Sequence, residues 1–193
     1  MIFDELAREV FSILCHQDPA RTFEPGGEPL VLCARCAGVY VGFALTIPML
    51  FMVRRLPGRL AVWVHGALVL QVILFGFHLI PHGLTVGAIS GQLFAVGVVY
   101  FLFKGVRYGK FRVDKPKEPR KHTGRWFMRY LLGTAQAVVL LQLLLRLGWS
   151  WAATLINILA LVGLATFVGL AVALLLGLGR SIIAGRQAAR IEP

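Results

Sequence analysis

Apolar residues along this chain come in long blocks separated by short polar stretches. The blocks run approximately from Leu30 to Val53, Leu60 to Ile80, Leu84 to Phe103, Phe127 to Leu147 and Ala152 to Leu178. Each is close to the roughly 20 helical residues needed to cross a hydrocarbon core. The pattern predicts an all-α, polytopic transmembrane bundle of about five spans with almost no soluble domain. Between the blocks lie Arg54 to Arg59, the Pro81 to Gly83 corner, a polar segment from Lys104 to Arg125, and the link from Gly148 to Trp151. Asp114 to Arg120, rich in Pro and Lys, is expected as a turn without regular structure. Ahead of the first block, Ile2, Phe3, Leu6, Val10, Ile13 and Leu14 recur at near-helical spacing against Asp4, Glu5, Arg8 and Glu9. That spacing predicts a helix lying in the membrane interface or packed on the bundle. The chain thus divides into an extracytoplasmic segment (1–29), the bundle (30–180) with its basic loop (104–125), and a basic cytoplasmic tail (181–193).

Composition supports the membrane reading. A chain of 193 residues would suit one soluble domain, but 58% hydrophobic residues and a mean hydropathy of +0.75 do not suit a water-solvated surface. A formal charge of +11 would raise nucleic acid as a partner in a soluble protein; here the basic residues fall mainly between apolar blocks, where topology accounts for them. Arg54, Arg55 and Arg59, then ten Lys or Arg from Lys104 to Arg129, then Arg180, Arg186 and Arg190 make sixteen of the twenty basic residues on alternate connections. Such a bias marks the cytoplasmic side. Six of the nine acids lie in the first 30 residues. The N-terminus is therefore expected outside and the C-terminus in the cytoplasm, with Trp149 and Trp151 in the outer aromatic belt. No basic stretch precedes the first apolar block, so the N-terminus is expected to be retained.

The chemistry is concentrated near the predicted outer end of the first span. Cys33 and Cys36 are three residues apart on one helix face, a spacing that lets two thiolates chelate one ion. Cys15 and His16 can complete a Cys₃His set if the Gly- and Pro-rich 17–32 segment folds back over the helix end, and zinc is the expected metal. His78 or His82, on the same predicted face, can replace His16 as the fourth ligand. Gln71, His78 and His82 form a polar stripe on an otherwise apolar span, where ionisable groups are functional candidates or helix-to-helix hydrogen-bond partners. A c-type haem is excluded because Ala37, and not His, follows the second cysteine, and an all-cysteine iron–sulfur cluster needs a fourth thiolate. A redox pair made of Cys33 and Cys36 stays open. Arg21 and Arg35 can hold a lipid phosphate or a carboxylate, or pair with Asp18 or Glu24. Gln136, Gln142 and Asn157 are expected to link helices, and Gly38 and Gly42 to allow a close helix approach. The spans carry no Asp, Glu or Lys at their centres, which argues against ion transport.

The stretches Cys15-His16-Gln17, Arg21-Thr22-Phe23 and Cys33-Ala34-Arg35-Cys36-Ala37-Gly38-Val39-Tyr40-Val41-Gly42 resemble a family of small prokaryotic membrane proteins, domain of unknown function 2085. Its signature is Cys-His-Gln, then Arg-Ser-Phe, then Cys-x-Arg-Cys-x-Gly-x-Tyr-x-Gly. The resemblance covers about the first quarter of the chain. It implies a multi-pass protein of a prokaryotic cell membrane with a Cys/His site, and supplies no reaction. Family members tend to carry a Pro-x-x-x-Asp-Gly element further on; Pro81-His82-Gly83 stands near that place without the Asp.

Three functions fit these residues. One is an accessory or structural subunit, or small-ligand binder, with an outer-face zinc site and with membrane lipids and other membrane subunits as partners. Another is a metal-dependent hydrolase of a lipid-linked substrate, with Glu24, Glu28 or His82 as the base. The last is a quinone-coupled thiol–disulfide oxidoreductase.

Overall fold

The computed structural model describes residues 2–47, 49, 58–76, 79–108, 123–146 and 149–188. Among these residues there are six α-helices and no β-strand: α1 (Ile2–Ser12), α2 (Ala34–Thr46), α3 (Gly58–Gly76), α4 (Leu84–Tyr108), α5 (Thr123–Arg146) and α6 (Ser150–Ala188). Three carry stretches long and apolar enough to cross a membrane: Leu84–Val106, Gly124–Arg146 and Trp151–Gly179. Ala34–Thr46 and Arg59–Phe75 are shorter apolar helices. Arg54, Arg55, His78 and most of the basic loop and the tail end, at 109–122 and 189–193, lie outside the described residues.

Two predicted spans start or stop differently from the apolar blocks. Leu30, Val31 and Leu32 are buried but not helical, because the backbone there pairs with the preceding turn: the Leu30 N–H donates to the Phe23 carbonyl at 2.9 Å, and Thr22 bridges Cys33. Helix α2 accordingly begins only at Ala34, with Cys33 as its extended N-cap. At the other boundary α3 ends at Gly76. Leu79 to Gly83 form a corner in which the Ile80 N–H reaches back to the Leu74 carbonyl at 3.2 Å, as Pro81 requires of a chain that cannot continue a helix.

Helix α2 is the centre of the assembly, wedged between α4 and α6, while α3 packs on α4 and α1 lies against α6. Small residues set these distances. A Cβ at Gly38 would stand 2.0 Å from the Ala88 carbonyl oxygen on α4, and one at Gly163 would stand 1.7 Å from the Tyr40 carbonyl oxygen. Backbone therefore touches backbone on both sides of α2, the contact that apolar solvent favours because dispersion, not water exclusion, drives helix association there. Phe43 stacks on Phe167 of α6 at 4.8 Å. Helices α5 and α6 instead leave most of their apolar surface outward, with Val139, Leu143, Val168, Leu175 and Leu176 exposed.

Helix α1 is apolar around more than one face. Ala7 and Phe11, one turn apart, are fully buried in the core that also holds Cys15, Leu32, Val41 and Ile156. Phe3 and Leu6 are exposed on the helix, and Ile13 and Leu14 just beyond it. Packing on the bundle and an outward apolar face thus coexist in one short helix.

Candidate metal centre

The 17–32 segment folds back as its composition predicts. Gln17 adopts a left-handed backbone conformation, φ 51, and its side chain donates to the Arg8 carbonyl at 3.3 Å, reversing the chain after α1. Asp18 caps a short 3₁₀ turn at Pro19–Arg21 by accepting from the Ala20 N–H at 3.0 Å. A second turn follows at Pro25–Gly27, where Gly26 and Gly27 take φ 71 and 82, a region that Gly enters without steric cost. The extended segment after this turn then delivers Cys33 to the N-terminus of α2.

The outcome is a three-sulfur cluster. The Sγ atoms of Cys15, Cys33 and Cys36 lie within 4.8 Å of one another, and none is in a disulfide. Cys15 is buried at the end of α1, Cys33 caps α2, and Cys36 follows one helical turn later. The Cys33 N–H donates to Cys15 Sγ at 3.4 Å. Donation by the Cys33 and Cys36 thiols, with the backbone N–H groups of Cys33 and Gln17, holds the Cys15 thiol far below its ordinary value, against the opposing effect of burial. The Cys33 thiol is correspondingly raised, first because it donates to Cys15. One thiolate shared by two thiols at a helix N-terminus is a soft, partly preformed ligand set. Three such sulfurs can hold a metal ion.

The other predicted ligands stand differently. His16 is exposed and, among the described residues, the close group comprises the three cysteines alone. His82 is half-buried, with Nδ1 donating to the Ile80 carbonyl at 2.9 Å and its ring edge-on to Phe75 at 5.6 Å. Its ring lies over Gly87, where a Cβ would meet His82 Nε2 at 3.7 Å and Ala34 Cβ at 4.0 Å; the imidazole is thus near the start of α2 without joining the sulfurs. His78 is outside the described residues. Arg21 pairs with Asp18, Nε to Oδ2 at 3.3 Å, an exposed contact of at most about 1 kcal/mol. Arg35 is half-buried, and Glu24 and Glu28 are exposed.

Among the polar residues of the spans, Gln71 donates to the Ser90 carbonyl at 2.7 Å and ties α3 to α4. Asn157 Nδ2 donates to Asp4 Oδ1 at 3.0 Å and ties α6 to α1. Gln136, by contrast, is exposed, and the buried side-chain amide of Gln142 has no hydrogen-bond partner among the described residues.

A second polar cluster lies at the opposite end of the bundle and was not legible as a motif. His65 on α3 is 1% exposed. Its Nδ1 is 2.6 Å from the Ala61 carbonyl, so Nδ1 carries the proton and Nε2 accepts from the Tyr130 hydroxyl on α5. Tyr100 of α4 stacks on the imidazole at 3.9 Å, and Lys104 Nζ lies 5.3 Å from the Tyr100 ring centre. The only signal in the sequence is a lone His inside an apolar run; its partners are too distant along the chain for spacing to reveal.

Residues 15–103 match the family model described as a predicted membrane protein, DUF2085. The match contains all three cysteines, α2, α3 and most of α4. Uncharacterized protein MJ1492 of Methanocaldococcus jannaschii is 48% identical over 33 residues, which are 17% of this chain and 21% of that protein. The matched stretch therefore spans about a fifth of the length of that relative. No solved structure matches the chain.

Proposed function

We propose that this chain is a multi-pass protein of a prokaryotic cell membrane in which Cys15, Cys33 and Cys36 bind one zinc ion on the outer face, stapling α1 to the bundle. The convergence of three sulfurs within 4.8 Å carries the reading, since soft thiolates select zinc among the abundant divalent ions. His16 or His82 supplies the fourth ligand. The bundle has about five spans, with its N-terminus outside and its C-terminus cytoplasmic. Support comes from Arg59, Lys104, Arg125 and Arg129, which lie at the ends of α3, α4 and α5 remote from the sulfur cluster. The protein acts as an accessory or structural subunit, or small-ligand binder, among membrane lipids and other membrane subunits, with the ion fixing the extracytoplasmic segment.

One observation favours a second reading. Three reduced cysteines sharing one thiolate also suit thiol–disulfide exchange, with Cys33 and Cys36 as the pair. Metal analysis of the purified protein separates the two. About one zinc per chain, lost in Cys36→Ser, is the expected result; metal-free protein with a reducible Cys33–Cys36 disulfide would replace the zinc reading with the redox one.

A further inference from the structure

Helix α5 carries two opposite seams. Tyr130, Leu141, Leu144 and Leu145 are buried against the bundle, whereas Leu132, Val139 and Leu143 are 56%, 64% and 53% exposed, with Gln136 exposed among them. Positions 132, 136, 139 and 143 follow the seven-residue repeat by which two helices pack along a shared seam. Gln136 stands near the middle of the Gly124–Arg146 stretch, about 15–18 Å from either end at the helical rise per residue, and so near the midplane of a hydrocarbon core about 30 Å thick. A primary amide at that depth needs both donors and acceptors. Carbonyls of its own helix can accept from Nε2, but N–H groups in a helix interior are engaged in the backbone ladder, so Oε1 has no donor within α5. Lipid tails offer none, and among the described residues no hydrogen bond reaches this side chain. The outward face of α6 differs, because there the Thr166 hydroxyl donates to the Val162 carbonyl at 2.8 Å and is satisfied within its own helix. Lipid can cover that face; it cannot satisfy the amide on α5.

We propose that α5 pairs with α5 of a second copy of this chain about a two-fold axis along the membrane normal, the two Gln136 amides exchanging hydrogen bonds and Leu132, Val139 and Leu143 packing above and below them. Every copy inserted in the same direction carries Gln136 at the same depth. An amide turned by a two-fold axis is also its own electrostatic complement, each Nε2 donating to the other Oε1. Interhelical amide bonds of this kind hold membrane helices together, and one polar residue in an apolar seam fixes the register of the pair. Charges bound the seam at both ends: Arg129 lies over the ring of Trp126 in its own helix at 5.2 Å, and Arg146 closes α5, where a long side chain reaches the interface. The inference rests on that part of the proposed function in which α5 crosses the membrane, and it does not need the zinc ion.

The test is Förster transfer between donor- and acceptor-labelled copies of the full chain, purified and reconstituted in phosphatidylcholine vesicles over a range of protein-to-lipid ratios. Association should weaken about tenfold in Gln136→Leu, which removes two reciprocal interhelical bonds, and should largely persist in Gln136→Asn. Because position 136 is on the surface, leucine there leaves the fold of each copy intact. Leu143→Ala on the seam should also weaken association, and Leu131→Ala, off the seam on the same helix, should not. Transfer no greater than random proximity gives, or equal transfer in the parent and in Gln136→Leu, overturns the pairing. Short epitopes inserted in the full chain before Thr123 and after Arg146 report separately on the span. Epitopes on opposite sides of the membrane without specific transfer would overturn the dimer alone, whereas epitopes on one side would remove the span on which the dimer rests.

Discussion

Cys15 is the residue on which the cysteine-bearing end of the bundle depends. It lies eighteen positions before Cys33, yet its sulfur collects donors from both other cysteines and from the backbone. Because these contacts hold its thiol far below the ordinary value of 9.0, the folded chain binds fewer protons at this sulfur than the unfolded chain does between the depressed folded value and 9. The contribution of Cys15 to stability therefore grows as pH rises toward 9 and is lost as acid protonates the folded thiolate. In metal-free protein at neutral pH, thiolate absorbance should correspond to about one sulfur per chain and should disappear in Cys15→Ser. Absorbance unchanged by that substitution would place the thiolate elsewhere. The Cys-x-x-C pair was readable because helical geometry links positions three apart. The arrival of Cys15 was readable only as a possibility, since it needed Asp18, Gln17, Gly26 and Gly27 to reverse the chain twice. The Asp4–Asn157 and His65–Tyr130 pairs join residues 153 and 65 positions apart, and local spacing carries no information about such contacts.

At the scale of elements, each apolar block contains one of the helices α2 to α6, but hydropathy did not give their edges. The first apolar block gave no hint that Leu30 to Leu32 would be a buried non-helical segment, because the backbone there is tied by the Leu30 N–H to the Phe23 carbonyl and by the Thr22–Cys33 bridge and not by helix formation. What holds α2 is close contact with α4 and α6 through glycine. Gly163→Val should force α2 and α6 apart and destabilise the bundle by about 3 kcal/mol or more. Gly169→Val, six residues further on the same helix with nothing within 4 Å of its added Cβ, should change stability by at most about 0.5 kcal/mol. Thermal unfolding of the two variants in one detergent compares them directly, and equal losses would mean that helix propensity and not contact controls α6.

For the whole molecule, the zinc reading makes the N-terminal segment a conditional structure on an unconditional scaffold. Chelation should raise amide exchange in α1 and in residues 17–32 while α4 keeps its protection; uniform loosening, or none, would remove the staple. The same arrangement has a consequence for how the protein is made. All three sulfurs lie within the first 36 residues, whereas the surfaces that grip α2 arrive with Ala88 and Gly163. At about 5–20 residues per second, the ribosome needs on the order of ten seconds to reach Gly163 after Cys36 has been added. An ion captured by the nascent chain would therefore join α1 to the start of α2 before either packing partner of α2 is complete, making metal supply outside the membrane an early step in biogenesis and not a finishing one.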